Sequence, residues 1–315
     1  MIGIRFFGTP HIELQELLVQ DLFTQGISRN RDVEIYFDQA RFDSQESAFR
    51  VLILLEPPSV MPENYEPSSL VKFDLVIPLS PWRAAIMGVE KFAFQPIAEP
   101  SIMSHSTHRK KSLVFVNALK FGAVNTSLYG WRLEILKKAE RAKLPIDVYG
   151  PNWDMSYFME IRKRIAATRR ALNSVERKIS EAWTNLFYRP KYYKGEAENK
   201  YITISKYQFM LVIENDLYSL TEKIFDALYS GAIVFYRGPR LKSHTNLAQY
   251  CYELPEHVED ALAFMKEIIS LPDFRLIDIR ERLSANPRFF APFTLQETSQ
   301  SLASIIVSEL HSRTI

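Results

Sequence analysis

The sequence predicts an α/β protein of two domains, each built on a parallel β-sheet. Three observations carry this expectation. Apolar runs of strand length recur, among them Arg50-Val51-Leu52-Ile53-Leu54-Leu55 and Phe209-Met210-Leu211-Val212-Ile213, the pattern of strands covered on both faces. These runs alternate with helical or loop segments. The stretch Lys206 to Pro239 also reads as a complete βαβ unit. In that unit Thr221 is the expected N-cap, Ile224, Phe225, Ala227 and Leu228 form the apolar face of a helix, and Gly231 fits its C-cap. Polar groups then gather at the carboxyl edge of the sheet, where open α/β sheets bind ligands.

In order, strands are expected at Ile2 to Phe7, Val33 to Phe37, Arg50 to Leu55 and Phe73 to Leu79, with a helix from Ile12 to Phe23. They make a first domain over residues 1–105, ending in the polar, basic connection Ser101 to Lys111. A second domain, 106–293, opens with a strand at Leu113 to Val116. A helix from Trp131 to Ala142 and a strand from Ile146 to Tyr149 lead to the central βαβ unit. Residues 294–315 form a final amphipathic helix. Residues 157–187 read as a long basic helix, with apolar positions from Phe158 to Leu186 at helical spacing. Its basic face is either a solvated surface or a surface for anionic lipid or glycan.

A formal net charge of +2 gives no ground to expect nucleic acid, and the single cysteine, Cys251, excludes an intramolecular disulfide and suits a reducing compartment. The N-terminus lacks the basic start and apolar core of a signal peptide, so a cytoplasmic protein is expected, with peripheral contact to the inner membrane face through the basic helix. His105 and His108 have no neighbouring cysteine or carboxylate cluster, and no metal site is expected there.

The stretch Ile213-Glu214-Asn215-Asp216, then Leu220-Thr221-Glu222-Lys223, then Gly238-Pro239 resembles the donor-binding signature of glycosyltransferase family 10, the α1,3/4-fucosyltransferases, in a bacterial form. It departs from that signature in a shorter linker between its halves and in Asp216, where the family has Ser. The resemblance implies a GT-B-like fold, two Rossmann-like α/β domains facing each other across a cleft, with the final helix packed back toward the first domain. It also implies an inverting transfer of fucose from GDP-fucose to a glycan hydroxyl, as in surface polysaccharide synthesis. No tightly bound cofactor is implied, and a divalent ion is at most stimulatory. Two alternatives are a GT-B enzyme using another sugar nucleotide and a non-catalytic glycan- or membrane-binding protein.

Such chemistry must hold a diphosphate, neutralise the leaving nucleotide and take a proton from the acceptor. Lys223 stands in the first turn of a helix whose N-terminus is itself an anion site. Arg132, near a helix start, can grip phosphate oxygens bidentately. By the resemblance both contact the diphosphate, Glu222 accepts the ribose hydroxyls, and Glu214 and Asn215 lie beside the donor sugar or orient it. Glu56 ends the strand RVLILL before Pro57-Pro58, which places it at the carboxyl edge of the first sheet. The resemblance makes it the catalytic base, and partial desolvation there would aid it. Glu63 and Glu66 are its nearest competitors. Tyr65, Trp82 and Trp153 are equal candidates for acceptor contacts.

Overall fold

The structure is a computed structural model that describes residues 3–8, 12–27, 32–40, 48–96, 109–120, 124–153, 189–243, 245–273, 276, 279–286 and 288–313. The expected basic helix at 157–187, most of the basic connection, and His105 and His108 lie outside the described residues.

The first sheet has the order β1-β2-β3-β4, from β1 (Ile4–Gly8), β2 (Val33–Phe37), β3 (Phe49–Leu54) and β4 (Leu75–Pro78), and every neighbouring pair is parallel. Parallel sheets need cover on both faces. On one face Val33, Ile35, Val51 and Ile53 pack with Leu14, Leu18 and Leu22 of α1 (Ile12–Thr24). On the other, Tyr36, Leu52 and Leu54 pack with Phe73. This alternation explains why β3 is apolar from Val51 to Leu54.

The second sheet has the order β6-β5-β7-β8-β9, again wholly parallel, from β5 (Lys110–Val116), β6 (Ile146–Tyr149), β7 (Tyr207–Ile213), β8 (Ile233–Arg237) and β9 (Cys251–Glu253). Between its strands run α4 (Tyr129–Arg141), α5 (Lys200–Ser205) and α6 (Glu222–Tyr229), and α7 (Val258–Ser270) follows β9. The short helices α2 (Pro67–Leu70) and α3 (Pro81–Met87) belong to the first half of the chain, and α8 (Ile279–Ser284) precedes the last helix. The two parallel sheets, each with its own core, form a GT-B-like fold.

The last helix, α9 (Leu295–Ser312), returns to the first sheet, where Leu302, Ala303, Ile306, Val307 and Leu310 share the core of α1. The Ser299 hydroxyl donates to the buried Asp21 carboxylate at 2.5 Å, and Arg313 pairs with Asp74 at 3.1 Å. The two halves also meet through polar contacts. The Ser59 hydroxyl donates to Asp216 at 3.1 Å, the Ser80 hydroxyl to the Tyr218 carbonyl at 2.6 Å, and the Trp82 indole N–H to the Arg240 carbonyl at 3.1 Å.

β1 ends at a backbone position that only glycine fits. Gly8 has φ +94°, and a Cβ there would lie 2.0 Å from the Phe37 carbonyl oxygen. Gly8→Ala is expected to lower stability by about 1–3 kcal/mol from the backbone strain alone. The loss should read as a lower urea midpoint at unchanged slope.

Candidate active site

The second sheet reverses its winding direction once. From β5 the chain moves outward to β6, then crosses back to place β7 on the other side of β5. At such a switch point the loops leaving the two central strands separate and open a crevice. Here that crevice has a volume of about 330 Å³. The second half of the chain lines it with Asn117, Arg132, Gly150, Asn215, Glu222 and Lys223, and the first half closes it with Glu56 and Pro57. The strand ends approach closely, since a Cβ on Gly150 (φ +130°) would lie 2.3 Å from the Asn117 carbonyl oxygen.

Beneath this crevice lies Glu214, with no exposed surface. One carboxylate oxygen accepts the Thr221 backbone N–H at 3.1 Å, and the other accepts the Thr221 hydroxyl at 2.6 Å. The Lys223 ammonium donates to the same Thr221 hydroxyl at 2.7 Å and lies 3.6 Å from Glu214. Burial pushes the Glu214 carboxyl up, against the opposing pull of Lys223 and Thr221. Thr221 occupies the N-cap position of α6, but its hydroxyl does not cap the helix as expected. It faces Glu214 instead, and the helix start keeps its field toward the cleft.

Arg132 is buried on α4. One terminal nitrogen donates to the carbonyls of Ile213 (2.9 Å) and Glu214 (2.8 Å) and to the Asn215 side-chain oxygen (3.0 Å). Its guanidinium lies over the Tyr129 ring at 4.6 Å, and its Nε has no hydrogen-bond partner among the described residues. Burial lowers it to about 10, so it stays charged at neutral pH. The Asn215 oxygen also accepts from Lys223 at 3.4 Å, so one amide tethers both cations to the lip of the cleft. The expected helix-opening arginine is thus a buried one that also braces the end of β7.

Glu222 is exposed to the cleft. Nearby protein desolvates it, but Lys223, its own backbone N–H, Lys200 and Lys120 outweigh that effect and hold its carboxyl below the usual range. One helical turn on, the buried Asp226 pairs with Lys200 at 2.8 Å, and both line the cleft. Burial pushes the Asp226 carboxyl up, although Lys200 pulls it down.

Across the cleft the backbone of Glu56 is fixed on both sides. Its N–H donates to both oxygens of Asp38 at 3.1 Å, and its carbonyl accepts from the Tyr65 hydroxyl at 2.7 Å and from Arg83 at 3.0 Å. The side chain itself is exposed, which corrects the expectation of partial desolvation: the loop is pinned by its main chain and leaves the carboxylate open to the cleft.

Of the six residues expected from sequence, five line one cleft, and Glu214 lies beneath it. Glu63 and Glu66 are not among its lining residues. Trp153 is a core residue, 2% exposed, with its indole N–H on the Asn117 carbonyl at 2.6 Å. Asp38, Arg83, Lys120, Lys200 and Asp226 went unforeseen. Asp38 follows a buried strand, as Glu56 does, and Asp226 stands one turn from Glu222 on the same helix. Those signals were readable, whereas nothing local marked Arg83 or Lys200. Among the described residues no group of three or more His, Cys, Asp or Glu could hold a metal ion, and no helix is long and apolar enough to cross a membrane.

No protein-family model matches the sequence, and no curated relative matches it. Solved structures do share the fold. An α1,3-fucosyltransferase with GDP is 13% identical at a TM-score of 0.52, over 98% of this chain and 90% of that one. The GtfA/B complex is 15% identical at 0.50, over 93% of this chain and 60% of that one. A TarM mutant from S. aureus, in complex with fondaparinux, α-GlcNAc-glycerol and UDP, is 11% identical at 0.52, over 91% of this chain and 58% of that one. The chain therefore spans about three fifths of the GtfA/B chain it matches.

Burial at the base of the Glu56 loop has a measurable consequence. It raises the Asp38 carboxyl to about 6 from an ordinary 3.8, against the pull of the Glu56 and Leu55 N–H groups. Between these values the folded chain keeps a proton that the unfolded chain has lost, so raising the pH through this window costs stability. The full cost, on the order of 3 kcal/mol, is present above about pH 6 and absent below about pH 4. Asp38→Asn cannot titrate. Relative to that variant, the wild type is expected to lose stability between pH 4 and pH 7 in denaturant titrations.

Proposed function

We propose that this chain is a glycosyltransferase that moves a sugar from a nucleotide donor to a hydroxyl of a glycan acceptor. The observation that carries the proposal is the pairing of Arg132 and Lys223 through Asn215, at the start of α6 and across one cleft from Glu56. Two fixed cations and the positive end of a helix suit a diphosphate, and they suit it better as charge builds on the leaving group. Glu222 has a carboxylate able to accept two hydrogen bonds from a ribose diol. Glu56 stands on the opposite wall as the base. The second sheet then carries the donor and the first sheet the acceptor.

In more detail, we propose GDP-fucose as the donor and a single inverting displacement. Glu56 takes the acceptor proton as the hydroxyl attacks the anomeric carbon from the face opposite the diphosphate. The bond to the diphosphate breaks, GDP leaves against Arg132 and Lys223, and a β-linked donor gives an α-linked product, of the α1,3 type by the sequence resemblance. Glu214 acts through Thr221 and Lys223 and does not touch the donor. The fold likeness to a GDP-bound fucosyltransferase supports this choice of donor. A second reading, another sugar nucleotide, is supported by an equal TM-score of 0.52 to a structure holding UDP.

Calorimetric titration with GDP-fucose, GDP-mannose, GDP, UDP and CMP, each with and without a divalent ion, separates the two readings. Binding confined to GDP and GDP-fucose is the expected result, and selective binding of UDP or CMP would reassign the donor. Lys223→Ala is expected to weaken GDP binding and to raise the barrier to transfer by about 3 kcal/mol, roughly a hundredfold in rate. Glu56→Ala should bind GDP normally yet lose turnover by roughly 10²–10⁴-fold. Near-normal turnover by Glu56→Ala would remove it as the base.

A further inference from the structure

A second and larger cavity, of about 950 Å³, opens at the carboxyl ends of β8 and β9. The segment from Asp216 to Tyr218 separates it from the cleft, and Ser59 and Ser80 hold that segment against the first half of the chain. Trp82 comes into the cavity wall from the first half as well, fixed by its indole N–H on the Arg240 carbonyl and the Ser243 hydroxyl. Nothing in the function proposed above uses this space.

Its chemistry is cationic. Arg237, Arg240 and Lys242 line it, and none of the three makes an ion pair among the described residues. Two carboxylates share the lining. Glu253 is engaged by the Leu241 backbone N–H at 2.7 Å, and Glu256 is exposed on the rim, where its charge also acts on Arg237. Two buried donors, the Arg237 Nε and the Tyr236 hydroxyl, have no partner among the described residues. The hydroxyl lies against Gly238 and near the Glu214 side chain, out of a ligand's reach, whereas the Arg237 side chain is part of the cavity lining. Trp82 and Tyr218 add aromatic walls of the kind that cover sugar rings.

We infer that this second cavity binds an acidic saccharide, with its oxyanion on Arg237, Arg240 and Lys242 and its ring against Trp82 and Tyr218. That the saccharide is a charged part of the acceptor rests on the transferase reading. The affinity for an acidic sugar does not.

Titration of the full chain with glucose 6-phosphate, glucuronic acid, glucose and inorganic phosphate tests this. At least one acidic sugar should bind more tightly than both glucose and free phosphate, and the better of the two tells phosphate from carboxylate. Arg240 and Lys242 are exposed, so Arg240→Glu with Lys242→Glu should fold normally, bind GDP as the wild type does and bind the acidic sugar at least tenfold more weakly. Lys223→Ala should leave acidic-sugar binding unchanged. The inference is overturned if neither acidic sugar outbinds glucose, if free phosphate binds as tightly, or if Lys223→Ala rather than the double variant loses the sugar. Should none of GDP, UDP and CMP bind even the wild type, the transferase reading falls while this result still decides the cavity.

Discussion

A carboxylate sealed from solvent sets the geometry of the cleft. Glu214 ends β7 and takes both the backbone and the hydroxyl of Thr221, which begins α6. Burying a charged group is costly unless donors and a counter-charge surround it, and Thr221 and Lys223 supply these. The same contacts that make burial tolerable decide where Lys223 points. The close fit extends to Gly238, where a Cβ would lie 2.7 Å from the Glu214 side chain. The strand, the helix start and the next strand end are therefore fixed to one another before any ligand arrives.

The wall between the two cavities depends on a comparable device. Asp216 accepts the Tyr218 backbone N–H at 2.9 Å with one oxygen and the Ser59 hydroxyl with the other. The first contact shapes the loop after β7, and the second attaches that loop to the opposite half of the chain. A serine at this position would offer a single side-chain oxygen for both tasks. The departure of Asp216 from the resembled signature thus has a structural meaning: it joins the loop after β7 to the half of the chain that carries Glu56.

The fold was largely legible because parallel strands buried on both faces leave apolar runs, such as Val51 to Leu54 in β3 and Phe209 to Ile213 in β7. Helix ends were legible where one residue type is demanded, as at Gly231 with φ +67° after α6. Five cleft residues could be read because strand ends and helix starts face one sheet edge. The orientation of their side chains could not, since it depends on partners distant in sequence. Thr221 looked like a helix cap because local spacing allowed it, yet Glu214 competes for its hydroxyl and wins with a charge-assisted bond. Glu56 looked half-buried because its strand is buried. Its loop turns outward, drawn by Asp38, Tyr65 and Arg83, none of which is adjacent to it.

These constraints divide the cleft unequally. In the proposed function Arg132 and Lys223 face the donor; Arg132 is buried and Lys223 nearly so, both tethered to Asn215, so their charges would be aimed before a diphosphate binds. Glu56 would face the acceptor, with its main chain held by Asp38, Tyr65 and Arg83 and its side chain exposed. Under that proposal, a fixed anion site facing an exposed base suits a reaction in which the leaving group is always the same and the attacking hydroxyl must be found among several on a sugar. Selection among hydroxyls then falls to whatever holds the rest of the acceptor. On the inference drawn above, the larger cavity, lined by Arg237, Arg240 and Lys242, would hold that part.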